Sequence, residues 1–220
     1  MKLNEALSIL KKTCNIKFSK LFNDLPSDLI INKGNVGQLL LKYIGLRLDS
    51  NLRDFDDGEL KTNKSDQYGF PLETMFITQI SKNFDDFLSD KCFATTNVYL
   101  KISNLVYLSV CKENKNSDEW FFVNCYHVNL DTDKKLYLKL KDDYNSIKNQ
   151  INRHLQTNDK QIHTSSGNFL QIRSKDSKPY HPIFSSSLDR YVSNKNHAFY
   201  FKKEFMRYVI KNYKPVNEYD

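Results

Sequence analysis

The stretch Leu52-Arg-Asp-Phe-Asp-Asp-Gly-Glu-Leu-Lys-Thr62 decides how this chain is read. Asp56-Asp57-Gly58 is turn chemistry, and the residues from Glu59 onward read as a strand. Side chains two apart on a strand project from one face, so Glu59 and Lys61 point together. Asp54 lies just before the turn, which can fold it back beside Glu59. Two converging carboxylates suit Mg²⁺, which prefers carboxylate and water oxygens, and a neighbouring lysine can orient an attacking water or stabilise charge on a phosphorane. The same residue types fall at such spacing by chance in many chains, where they form only a charged, exposed hairpin.

Upstream of this stretch, Val36-Gly-Gln-Leu-Leu-Leu-Lys-Tyr-Ile44 reads as a buried helix stopped by Gly45. Leu7, Leu10, Ile16 and Leu21, set among polar residues, predict one or two short helices between Asn4 and Phe22. Downstream, the Tyr68-Gly-Phe-Pro71 turn and the β-rich Met75-Phe-Ile-Thr78 predict a meander or a pair of hairpins. Asn97 to Val110 and Trp120 to Leu130 read as strands separated by a polar turn, so a mixed or antiparallel sheet is expected. Leu140, Tyr144, Ile147, Ile151 and Leu155 recur at helical spacing and predict a long surface helix over Leu136 to Leu155. A short strand at Phe169 to Ile172, a basic loop at Arg173 to Lys178, the aromatic run Phe199-Tyr-Phe201 and a helix over Lys203 to Tyr213 close the chain. No repeat, linker or low-complexity segment interrupts it.

At 220 residues the chain is long enough for one core, or one core split into two lobes, and short for two independent domains, so residues 1-220 are expected to form a single domain. A net charge of +7 and a pI near 9.0 favour a polyanionic partner without identifying one. No run of about 18 apolar residues occurs, and Met1 to Lys12 carries charge inside its apolar stretch, so neither export nor membrane insertion is expected and the cytoplasm is the expected location. Cys14, Cys92, Cys111 and Cys125 lack the close pairs of a zinc or redox motif and read as reduced, structural thiols. The five histidines are equally dispersed, so no nucleophilic triad is legible.

The flanks of the opening stretch carry a resemblance. Lys33-Gly-Asn-Val-Gly-Gln-Leu-Leu40, Asp54-Phe55, Glu59-Leu-Lys-Thr62, Gly69-Phe-Pro-Leu-Glu-Thr-Met-Phe76, Gly167-Asn-Phe-Leu-Gln-Ile-Arg173 and Phe199-Tyr-Phe-Lys-Lys203 fall in order from Lys33 to about residue 210. In that order they resemble the blocks of the MutH and Sau-type GATC restriction endonuclease family. The resemblance implies an α/β fold of the restriction-endonuclease-like, PD-(D/E)xK type: a mixed central sheet flanked by helices, with two lobes forming a DNA cleft.

Residue by residue, the resemblance implies that Asp54 and Glu59 bind the metal, that Lys61 is the catalytic lysine and that Lys101 is a second active-site lysine. It places Arg173 on the family's base-reading arginine, and Tyr200 and Phe76 on aromatics that sense adenine methylation. Lys33 and Gly34 fall on a DNA-contacting turn. Lys175, two residues beyond Arg173, reads either as a phosphate contact or as part of a solvated loop, and Phe76 and Tyr200 also suit a core. Leu41 stands where the family has one more acidic residue, with Gln38 one helical turn earlier as a substitute oxygen. The gap from Asp54 to Glu59 is two residues shorter than in MutH and equals that of the related MvaI and BcnI enzymes. Ser174 replaces the family's proline after the arginine.

The expected function is that of a Type II restriction endonuclease cutting double-stranded DNA at GATC. The expected cofactor is Mg²⁺, with Mn²⁺ as a substitute and Ca²⁺ supporting binding without efficient cleavage. Two other readings remain: a mismatch-repair strand nickase at hemimethylated GATC that needs a MutL-like activator, and a catalytically impaired DNA-binding module. The expected partner is double-stranded DNA, with homodimerisation on DNA as one route to cutting both strands.

Overall fold

The computed structural model describes residues 1-27, 29, 35-47 and 51-218. Lys33 and Gly34, expected at a DNA-contacting turn, lie outside the described residues. Helices are α1 (Leu3–Leu10), α2 (Phe18–Leu21), α3 (Asn35–Tyr43), α4 (Phe84–Leu88), α5 (Asn97–Ile102), α6 (Lys134–Leu155) and α7 (Lys203–Asn212). Strands are β1 (Glu59–Ser65), β2 (Met75–Gln79), β3 (Asn104–Cys111), β4 (Phe121–Asn129), β5 (Ser165–Ser166), β6 (Leu170–Ser174), β7 (Ile183–Ser185), β8 (Arg190–Ser193) and β9 (His197–Phe201). The chain is mixed α/β and divides into two compact units.

The first unit comprises Met1–Thr74, Lys101–Asn129 and Met206–Asp220. Its sheet has the order β1-β3-β4, with β1 parallel to β3 and β3 antiparallel to β4, so it is mixed. Alternation along the strands sorts the two faces. Leu60, Val106, Leu108 and Val110 point into a core shared with Leu3, Leu10, Phe18, Val36 and Leu40 from the helices. Glu59, Lys61 and Asn63 occupy the other face. Helix α3 ends as its sequence requires: Gly45 adopts φ +83°, its N–H reaches the Lys42 carbonyl, and Leu46 N–H reaches the Leu41 carbonyl.

Two expectations are corrected here. β1 and β2 do not form a meander, because they belong to different sheets. After the Tyr68–Pro71 turn the chain makes a single bridge, Ser65 with Pro71, and one further bond, Leu72 N–H to the Lys64 carbonyl. Proline has no N–H to continue a ladder, and β1 takes β3 as its partner instead. Asn97 to Ile102, expected as the start of a strand, is helix α5. Thr96 nucleates it, its hydroxyl accepting Tyr99 N–H at 3.2 Å and its carbonyl accepting Leu100 N–H at 3.0 Å. Local capping thus overrides the β-rich composition of the segment.

The second unit comprises Met75–Leu100 and Leu130–Phe205. Its sheet, β2-β9-β6-β5, is antiparallel throughout. Helix α6 starts at Asp133, whose carboxylate accepts Leu136 N–H at 2.9 Å, and buries Leu136, Leu140, Tyr144, Ile147 and Ile151. Tyr144 stacks on Phe199 of β9, and Phe87 of α4 meets both rings edge-on. β7 and β8, which no sequence pattern had marked, pair as a separate hairpin. Among the described residues no helix is long and apolar enough to cross a membrane. All four cysteines are free, and burial pushes the Cys14 thiol up to about 12.

Candidate active site

Four of the expected site residues converge in the first unit. Glu59 opens β1 and is 1% exposed. The turn before it closes through Phe55 N–H to the Gly58 carbonyl at 2.9 Å, which returns Asp54 to Glu59. Asp54 Oδ2 then accepts Leu60 N–H at 3.0 Å, while Asp54 N–H donates to Glu59 Oε2 at 3.2 Å. On the strand face, Lys61 Nζ donates to Glu59 Oε1. Lys101, carried by the last turn of α5, donates to the same oxygen at 2.9 Å. The expected neighbours are thus together, with Asp54 on an irregular turn and Lys101 on a helix.

Two carboxylates and two ammonium groups leave this cluster without net charge, but its parts are unevenly served. Glu59 holds both lysines. The Asp54 carboxyl is raised above the ordinary range, first by desolvation and next by the Glu59 charge, against lowering by Lys61, the Leu60 N–H and Lys101. A cation seated between Asp54 and Glu59 would offset the Glu59 charge and favour the ionised Asp54 carboxyl.

Among the described residues no group of three His, Cys, Asp or Glu could hold a metal ion as a closed cage. Mg²⁺ does not need one, since it is commonly held by one or two carboxylates with water and phosphate oxygens completing its octahedron. The donor set at Asp54 and Glu59 fits that mode. Leu41 adds no ligand: it packs, half-buried, against the hydrophobic core of the unit. Gln38 on the same helix is exposed.

A second cluster forms on the sheet of the other unit. Phe76 of β2 lies opposite Tyr200 of β9, and Tyr200 lies opposite Gln171 of β6, so the three share one face. Arg173 lies opposite Ala198 and reaches Tyr200 diagonally, its guanidinium 4.3 Å from the ring centroid. Lys175 Nζ lies 3.4 Å from the centroid of Phe76, and the two rings meet edge-on at 5.7 Å. Leu170, Ile172, Phe199 and Phe201 line the opposite, apolar face. On this face Phe76 is half-buried, whereas Tyr200 is buried. Tyr200 is only 8% exposed, and burial pushes its hydroxyl up against the lowering by Arg173.

Arg173 and Lys175 are exposed, and the loop after them is tied down. Asp176 accepts N–H bonds from His181 and Asn196 and a further bond with the His181 ring. These bonds, led by the Asn196 N–H, hold its carboxyl well below the usual range. Gln171, which sequence reading did not single out, shares the face of Arg173 and Tyr200, and its spacing of two from Arg173 within one strand is a usable signal.

No protein-family profile and no curated protein matches the chain. What the two clusters can do follows from their own chemistry.

Proposed function

We propose that this protein is a metal-dependent DNA endonuclease with a restriction-endonuclease-like fold whose two lobes form a DNA cleft, akin to the MutH and Sau-type family. The observation that carries this reading is the convergence of Asp54, Glu59, Lys61 and Lys101, drawn from a turn, a strand and a helix, around one buried carboxylate. Asp54 and Glu59 would hold Mg²⁺, which when bound polarises a phosphate and lowers the pKa of a bound water. Lys61 orients the attacking water for in-line displacement, and Lys101 offsets charge on the scissile phosphate. The expected ends are a 5′-phosphate and a 3′-hydroxyl.

Recognition is assigned to the second cluster. The Arg173 fork suits guanine O6 and N7 in the major groove, and the Tyr200 ring beneath it limits the directions the fork can take. Tyr200 and Phe76 form an apolar wall against which an adenine methyl group would pack or be excluded, and Lys175 suits a phosphate. The favoured role is a Type II restriction endonuclease at GATC. Digestion of a defined plasmid with Mg²⁺, followed by end mapping, tests it: cleavage at GATC is expected, and intact unmethylated DNA overturns the proposal. Unmethylated, hemimethylated and fully methylated duplexes, with and without a MutL-like activator, separate restriction from repair nicking, because strong activation on hemimethylated DNA marks repair.

One observation favours a second reading, a DNA-binding module with impaired catalysis. Leu41 packs against the core where the resemblance implies a further acid, which leaves Asp54 and Glu59 as the proposed metal-binding carboxylates. Equal inertness of the wild type and of Lys61→Ala, with DNA binding retained in both, would support it.

A further inference from the structure

The turn between the two metal-binding carboxylates is gripped from outside the active site. Asp57 Oδ1 accepts Leu3 N–H at 2.7 Å, and Asp56 N–H donates to the Met1 carbonyl at 3.2 Å, so the first residues of the chain hold one flank. On the other flank Asn104 Nδ2 donates to the Asp57 carbonyl at 2.9 Å. That bond leaves Asn104 Oδ1 as an acceptor, so His127 Nε2 is the donor in the 2.8 Å contact between them. Arg53 adds a bond to the Asp56 carbonyl at 2.6 Å.

Gly58 allows this closeness. A Cβ there would stand 2.3 Å from Leu3 Cδ1 and 2.7 Å from the Asn104 carbonyl oxygen. These contacts act on the backbone and side chains of the turn rather than on Asp54 or Glu59. A grip matters because the turn is irregular and belongs to neither a helix nor a strand. With four residues between the carboxylates, any drift of the turn is transmitted to Asp54, and misplacement of about 1 Å is enough to impair a catalytic constellation.

We propose that Asp57 is a positioning residue: held between the Leu3 amide and the Asn104–His127 pair, it sets the turn so that Asp54 faces Glu59. The inference rests on the endonuclease reading for its consequence in catalysis, and on geometry alone for its effect on the turn. Three variants test it, Asp57→Ala, Asp57→Asn and Asn104→Ala, with thermal unfolding confirming that each is folded. Three quantities are measured: hydrogen exchange of the Leu60 amide, which is bonded to Asp54; Ca²⁺ affinity by calorimetry without DNA; and Mg²⁺-dependent cleavage of a GATC duplex resolved into kcat and KM.

Asp57→Ala is expected to speed Leu60 exchange at least about tenfold, to weaken Ca²⁺ binding about 10- to 100-fold and to lower kcat by a similar factor at unchanged KM. Asp57→Asn keeps an acceptor for Leu3 and is expected to restore all three. Asn104→Ala loosens the same turn from its other flank, is expected to move all three in the same direction, and decides the matter where Asp57→Ala does not fold. Unchanged Leu60 exchange and unchanged Ca²⁺ affinity in a folded variant would overturn the proposal. A wild type that neither binds Ca²⁺ nor cleaves DNA overturns the endonuclease reading instead, and Leu60 exchange then still decides whether Asp57 holds the turn.

Discussion

Asp54 is the residue at which stability and the proposed metal binding pull apart. Its carboxyl is raised by desolvation and by Glu59, so the folded state disfavours its ionised form. The sign follows: as pH rises from the unfolded carboxyl range through the higher folded value, Asp54 costs stability, and acidification relieves that cost. Asp54→Asn keeps an acceptor for the Leu60 N–H and removes a half-buried charge, so it is expected to raise the unfolding free energy by about 0.5–2 kcal/mol at pH 7 while abolishing Ca²⁺ binding. Denaturant unfolding and calorimetry check the two halves, and a destabilised Asn variant would contradict the account. Lys61→Ala is expected to lower cleavage by about 100-fold or more with DNA affinity in Ca²⁺ retained. Arg173→Lys loses the planar fork, and discrimination against a changed guanine is expected to fall by about 1–3 kcal/mol, read by competition binding.

At the scale of elements, the second unit depends on a buried acid that lies outside both clusters. Asp143 on α6 accepts N–H bonds from Asn168, Phe169 and Leu170, and so joins the helix to the start of β6. Gly167 sits directly against that carboxylate, where a Cβ would come within 2.3 Å of Oδ1. Asp143→Ala strands three backbone donors and is expected to destabilise the protein by about 2–4 kcal/mol, measured by urea unfolding. Because β6 carries Gln171 and Arg173, the same change is expected to weaken sequence discrimination more than Ca²⁺ binding at Asp54 and Glu59, which belong to the other unit. Equal losses of both would mean that Asp143 acts on global stability alone.

For the whole molecule, pH and salt are the controlling variables. His127, His154 and His197 are each lowered below the ordinary histidine value, first by desolvation. A histidine held neutral in the fold leaves stability intact above about 6.5, and stability falls as pH drops below that value toward the folded values, because the unfolded chain takes up protons first. Thermal midpoints between pH 7.5 and 5 check this, and a rise across the window would contradict it. If the protein binds DNA as proposed, its affinity is expected to fall steeply with salt through the phosphate contacts it makes. Lys175→Ala is expected to reduce the slope of log affinity against log salt by about 1 if that side chain neutralises one phosphate, as binding titrations at several salt concentrations would show.

The sequence by itself determined what depends on local periodicity and local chemistry. The Gly45 stop of α3, the amphipathic stripe of α6, the strand run of β4 and the common face of Glu59 and Lys61 all follow from spacing along a few residues, where neighbours in sequence are neighbours in space. What needed the tertiary structure was every relation between distant segments. β1 takes β3 rather than β2 because Pro71 ends the local ladder and because the apolar faces of β1 and β3 share a core. Lys101 reaches Glu59 from a helix that composition presented as a strand, because the Thr96 cap decided otherwise. Phe76 and Tyr200 read equally as core, and only the register of β2, β6 and β9 sets them beside Arg173 and Lys175, with Phe76 half-buried and Tyr200 buried. Asp57 looked like one more acid in a turn, and its partners at Leu3 and Asn104 lie about fifty residues away on either side, a separation that no local pattern encodes.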